Sequence, residues 1–261
     1  MWDTIIIHPM VNALIFIYDL IGNNFGIAII LFTILIRAIT WPLNAQQMKG
    51  AQAMQELQTD KEWQDIQKKY AKDKEKLSQE QMRIYKERGI NPFASCLPTL
   101  IQFPIIIGLY QSIIRALAGT PLSLLQLSRS LYPFQSIESI IPLNSKFLWM
   151  DLGRPESVAV FGYALPTLAL VVALTTYMQA KLTMPASTNP GDQSAAMSGM
   201  MSIYMPLLLG YFALTFASGL SVYFITSNLL GIAQYAMQGK ANWRNLLPGG
   251  NKKPAPSKIK K

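Results

Sequence analysis

Five apolar stretches, each about as long as a bilayer is thick, govern what this chain can fold into. A helix needs roughly 20 apolar residues to cross the hydrocarbon core. The sequence supplies such runs at 21–43, 91–118, 158–180, 200–217 and 218–237. Pro98 and Pro104 interrupt the second, which packed neighbours in a membrane can tolerate. Only Ser218 and Gly219 part the last two, which predicts a tight antiparallel helical hairpin. With 51% hydrophobic and 14% charged residues, the chain has too little charge for an ordinary soluble surface. The expected fold is an all-α membrane protein with five transmembrane helices.

Five is an odd number, so the termini face opposite sides, and the positive-inside rule says which. Residues 44–90 carry ten Lys/Arg, the 181–199 loop adds Lys181, and the 238–261 tail carries seven more. The other side, including the 119–157 loop, receives only Arg115, Arg129, Lys146 and Arg154. The expected protein therefore sits in the plasma (cytoplasmic) membrane, multi-pass, with its N-terminus outside and C-terminus cytoplasmic. One cysteine excludes an internal disulfide framework, and one histidine without a Cys/His cluster points to no metal or haem site. No cofactor and no catalytic constellation are implied.

Residues 1–20 lack the positive start of a signal peptide. Ile6, Met10, Ala13, Leu14 and Ile17 recur at helical spacing, with Asp3, Asn12 and Asp19 between them. This predicts an amphipathic helix on the outer interface. A short sixth span is the other reading.

The 44–90 segment, rich in Gln, Lys and Glu, reads as a cytoplasmic hairpin of two charged helices turning near YAKDKEKLS. A thin seam is expected from Met54, Leu57, Ile66 and Tyr70 on one arm and Leu77, Met82 and Tyr85 on the other. The hairpin is either a solvated spacer or a docking site. The tail 238–261, rich in Lys and Pro, reads as disordered, its charge suited to anionic lipid or to ribosomal RNA phosphates. In the 181–199 loop and just beyond, Met184, Met197, Met200 and Met201 suit either interfacial packing or promiscuous apolar contact.

Arg37 is the residue that needs an explanation. An arginine within a spanning helix costs about 2.5–3.5 kcal/mol on insertion scales and normally faces protein or water. Thr33 lies four positions earlier on the same face. Arg37 either snorkels to the inner headgroups or lines a polar pocket in the inner half of the membrane. Gln102, Gln179, Asn228 and Gln234 can line such a pocket or serve as interhelical glue. None of the five runs contains an Asp or Glu. An arginine without a counter-ion is free to attract an acidic visitor, and an anion channel or transporter using Arg37 as an intramembrane anion site is the alternative to be weighed.

Several ungapped stretches, in order along nearly the whole chain, resemble the YidC membrane protein insertase family, which includes mitochondrial and chloroplast relatives. They are the Arg37 helix ending in WPL, the charged hairpin, GINPFASCLPTLIQFPIIIGLYQSI and SGLSVYFITSNLLGIAQ. The large outer domain of Gram-negative members has no counterpart. The resemblance implies five helices around a hydrophilic groove open to cytoplasm and lipid, with Arg37 as the groove arginine, Thr33 the polar residue before it and Gln179 a groove glutamine. Gln102 and the Tyr223–Phe224 pair complete the expected substrate groove. The family usually ends that pair in Tyr or Trp, so a polar contact at Phe224 does not carry over. The implied function is insertion of nascent membrane proteins with acidic outer segments, alone or with the secretion channel. The implied partners are the ribosome through the tail, the secretion channel and targeting factors through the hairpin, and anionic lipid. Ile105, Ile106, Leu207 and Leu208 are candidates for an apolar sliding surface.

Overall fold

Gly22 and Asn23 both take positive φ, 76° and 68°, and so turn the chain sharply between its first two helices. The first begins with a π turn, Asp3–Ile7, and continues as α1, His8–Leu20. The second, α2, runs Phe25–Thr59, with the Asn24 side chain accepting the Ile27 N–H at 3.1 Å as its cap. The computed structural model describes residues 1–70, 73–90, 97–117, 120–133, 143–160, 163–183 and 193–238.

Span and hairpin are thus one continuous helix through Pro42, ending only where Asp60 adopts an extended backbone. Asp60 then caps α3, Lys61–Lys69, and Asp73 caps α4, Lys74–Glu87. These two short helices pack together over Leu57, Trp63 and Ile84, with Ile66 and Tyr85 beside them. The seam is as thin as the sequence suggests, but Trp63 and Ile84 fill its centre while Met82 is 40% exposed. Arg83 pairs with Glu80 and Glu87, both at 2.7 Å, and Arg88 with Asp60 at 2.8 Å. The Met54 side chain lies outside the described residues.

Next come α5, Leu97–Ala116, and α6, Pro121–Ser130. A reciprocal Thr120–Ser123 capping box starts α6. Two small antiparallel hairpins follow, β1 (Lys146–Phe147) with β2 (Met150–Asp151), and β3 (Val158–Val160) with β4 (Tyr163–Leu165). These amend the all-helical expectation. The third apolar run does not begin as a helix at 158, because its β-branched and aromatic first part pairs as strands and α7, Thr167–Thr183, starts only after Pro166. The chain ends its described part with α8, Gln193–Thr215, and α9, Ser218–Met237.

The central element is α9, which packs against α7, α2 and α5. Its first N–H groups have no helical partners. The segment between β2 and β3 supplies acceptors for them: Ser218 donates its N–H and hydroxyl to the Arg154 carbonyl at 2.8 and 2.6 Å, and Gly219 donates to the Leu152 carbonyl at 3.0 Å. The core runs from α1 through α2 and α5 to α9.

Along the π turn and α1 together the buried stripe is Ile7, Val11, Leu14 and Tyr18 with Met10 and Ile15, while Ile6, Ala13 and Ile17 flank it. Its polar contacts are Asp3 with Arg115, the Trp2 indole with Gln111, Asn12 with the Ser130 carbonyl and the Tyr132 N–H, and the Tyr18 hydroxyl with the Asn144 N–H. Among the described residues, two stretches are long and apolar enough to cross a membrane, Asp3–Leu20 and Phe25–Gln46. Met184, the side chains of Met197 and Met201, and the tail from 239 onward lie outside the described residues.

Candidate functional site

On α9, residues 223, 227, 231 and 234 recur at four and three, which stacks Tyr223, Ser227, Gly231 and Gln234 along one face. Arg37 of α2 meets this stripe. It is half-buried, and its guanidinium donates from Nε to Ser227 Oγ at 3.0 Å. From Nη2 it reaches the same hydroxyl at 2.6 Å and the Ser227 carbonyl oxygen at 2.8 Å. A helical carbonyl has a second lone pair for such a bond. Among the described residues no carboxylate pairs with Arg37 and its Nη1 group has no partner. A charge held only by neutral oxygens keeps most of its field for a guest.

Gln179 arrives from α7. A Cβ placed on Gly231 would lie 2.5 Å from Gln179 Nε2 and 3.7 Å from Arg37 Nη2. Gly231 is what lets the two donors converge across α9. From α5, Gln102 donates its Nε2 to the Tyr223 hydroxyl, which also meets Ser227 and lies near Arg37. Hydrogen bonds thus link α2, α9 and α5 around a single positive charge, and α7 brings the Gln179 amide beside it.

The remaining expected residues divide. Thr33 is fully buried on the Arg37 face, but its hydroxyl donates to the Ile29 carbonyl at 2.6 Å and so presents nothing to a guest. Phe224 is buried beside Tyr223, ring centres 5.6 Å apart, as an apolar packing group. Asn228 is glue between helices, donating to Thr175 at 3.1 Å and Thr176 at 2.9 Å. Ser227 and Gly231 had escaped notice among the motifs. Their spacing of four and eight residues from Tyr223 is the available signal, hidden because small residues in a membrane helix usually mark only close packing.

A family model described as "60Kd inner membrane protein" matches residues 16–243. The chain belongs to the 60Kd inner membrane protein family. All six residues expected in the groove, and Ser227 and Gly231 with them, fall inside the stretch that the family covers.

Relatives within this likeness include the membrane protein insertase MisCA of Bacillus subtilis (strain 168), 35% identical over 260 residues, spanning 97% of this chain and 86% of the relative. The membrane protein insertase YidC of Oceanobacillus iheyensis is 32% identical over 245 residues, 92% of this chain and 84% of that protein. A solved structure described as an active YidC insertase with its first transmembrane domain resolved aligns with a TM-score of 0.55 at 25% identity. It covers 91% of this chain, which spans only 46% of that longer one.

Proposed function

We propose that this protein is a membrane protein insertase whose five helices α2, α5, α7, α8 and α9 span the plasma membrane around a groove centred on Arg37. The observation that carries the reading is the half-buried guanidinium bonded to Ser227, with Nη1 unpartnered and no carboxylate beside it among the described residues. The insertase names of relatives over most of the chain support it. In the N-out, C-in orientation, the ten Lys/Arg of 44–90 are cytoplasmic. Every named polar partner of α1 lies at the outer end of α5, on α6 or in the loop after it, which supports a helix lying across the outer ends rather than a sixth span.

Insertion here breaks no covalent bond. A nascent membrane protein enters from the cytoplasm, and a carboxylate in its outer segment replaces water at Nη1, lowering the cost of a charged, hydrated stretch inside the inner leaflet. The membrane potential then draws that negative segment outward at about 2.3 kcal/mol per charge per 100 mV. The apolar helix leaves for lipid by its own burial. An exposed stripe on α8, formed by Ile203, Tyr204, Leu207 and Tyr211, gives it a path, as do Phe103 and Ile107 on α5. Ile105 and Ile106 instead pack inward on the core. The hairpin is the docking point for the secretion channel or targeting factors, and the basic tail for ribosomes or anionic lipid.

Purified protein in liposomes inserts a single-span substrate with an acidic outer tail. Arg37→Ala slows this more than Arg37→Lys does. Liposomes that pass anions freely and insert nothing would replace this reading with an anion channel.

A further inference from the structure

Two turns of α9 beyond Ser227, on the same face and about 10 Å further toward the cytoplasmic side, stands Gln234. It is 4% exposed, and its Nε2 has no hydrogen-bond partner among the described residues. Three other buried side-chain atoms share that condition. Trp63 and Gln67 belong to the charged hairpin, outside the membrane segments. Ser221 lies on another face of α9, and a serine hydroxyl can rotate onto its own helix carbonyls. Gln234 alone lies on the polar stripe that meets Arg37, and a carboxamide amino group left unmatched in a buried site has lost its hydration without gaining a bond in return.

The stripe therefore presents two donors of different chemistry in the order that a segment from the cytoplasm meets them. The first is a neutral carboxamide N–H, the second a guanidinium. A guanidinium selects carboxylates, whereas a single neutral N–H suits the carbonyl oxygen, which every residue of an incoming segment carries. We propose that Gln234 is an entry-side binding residue that donates a hydrogen bond to main-chain carbonyls of the substrate's polar segment, independently of its sequence, before that segment reaches Arg37. The proposal rests on the insertase reading and adds a second contact with a different selectivity.

The test compares two single-span substrates differing only in the outer tail, one acidic and one neutral, with the full chain in liposomes of phosphatidylethanolamine and phosphatidylglycerol. Insertion of neither substrate by the unmodified protein would remove the function itself, leaving this site without meaning. Given insertion, Gln234→Met, which keeps the length but removes the donor, slows both substrates alike by about three- to tenfold, the worth of one hydrogen bond. Its melting temperature is no lower than that of the parent, because no intramolecular bond is lost. Unchanged insertion, a loss confined to the acidic tail, or a fall in melting temperature that accompanies the loss would each overturn the assignment.

Discussion

A guanidinium anchored by one serine can be tuned without being removed. Tyr223 is 2% exposed and its hydroxyl accepts from the Gln102 amide beside Ser227 and Arg37. Tyr223→Phe strands the Gln102 amide, so it should cost about 1–3 kcal/mol in thermal or denaturant unfolding. Adding Gln102→Leu should recover part of that loss, a coupling that a double-mutant cycle reads directly. Gly231 probes the other side of the site. Gly231→Ala puts a methyl 2.5 Å from Gln179 Nε2, the far end of a flexible side chain, which can swing away. Insertion of an acidic-tailed substrate should fall, while the melting temperature moves by no more than about 2–4 °C. An unchanged insertion rate would take Gln179 out of the site.

Helices are held to one another by contacts that their own patterns do not announce. Gly108 of α5 lets α1 approach so closely that a Cβ would lie 2.5 Å from Ile6 Cγ2 and 2.9 Å from Met10 Sδ. Gly108→Val should therefore lift α1 from α5 and cost about 1–3 kcal/mol as an overpacked core position, measured by thermal unfolding. In the hairpin, the Asp73 carboxylate accepts the Lys76 N–H at 3.1 Å and is held below the usual carboxylate range by that bond. A folded-state value below the unfolded one means the stabilisation is present above the unfolded value and is lost as pH falls through the folded one. The first amides of α4 should show protection factors, referred to the intrinsic exchange rate at each pH, that are high at neutral pH and fall once the solution is acidified below the carboxylate range. Asp73→Ala should show the low protection factors at both pH values.

At the scale of the whole molecule, the distribution of charge predicts an orientation, and the segment before α7 ties helix ends together. The Lys/Arg of the hairpin and those of the 119–157 loop make opposite demands on the membrane, ten against four when Arg115 at the end of α5 is included. In a Cys96→Ser background, Arg129→Cys should react with a membrane-impermeant maleimide in intact cells. Ser78→Cys, on exposed α4, should react only after permeabilisation. The reverse pattern would invert the topology. In the segment before α7, the Glu156 carboxylate accepts from the Thr167 hydroxyl at 2.6 Å, the Leu168 N–H at 3.0 Å and the Trp149 indole at 3.2 Å. With the bonds from Ser218 and Gly219, it ties the loop to the starts of α7 and α9.

Apolar run length was enough to mark the helical membrane architecture, because the bilayer imposes one length on any helix that crosses it, and the distribution of lysine and arginine adds an orientation for the labelling experiment to test. Arg37 stood out for the same reason, as a charge where charge is costly. The strands at 158–165 were hidden, since a short apolar run has no period that separates strand from helix in an apolar surrounding. Partner choice was hidden too. Thr33 shares a face with Arg37 yet bonds its own helix, whereas Ser227 and Gly231, 190 and 194 positions away, are what the guanidinium meets. Which small residue of α9 comes opposite the arginine depends on how α2, α7 and α9 cross, and only the packed helices fix that register.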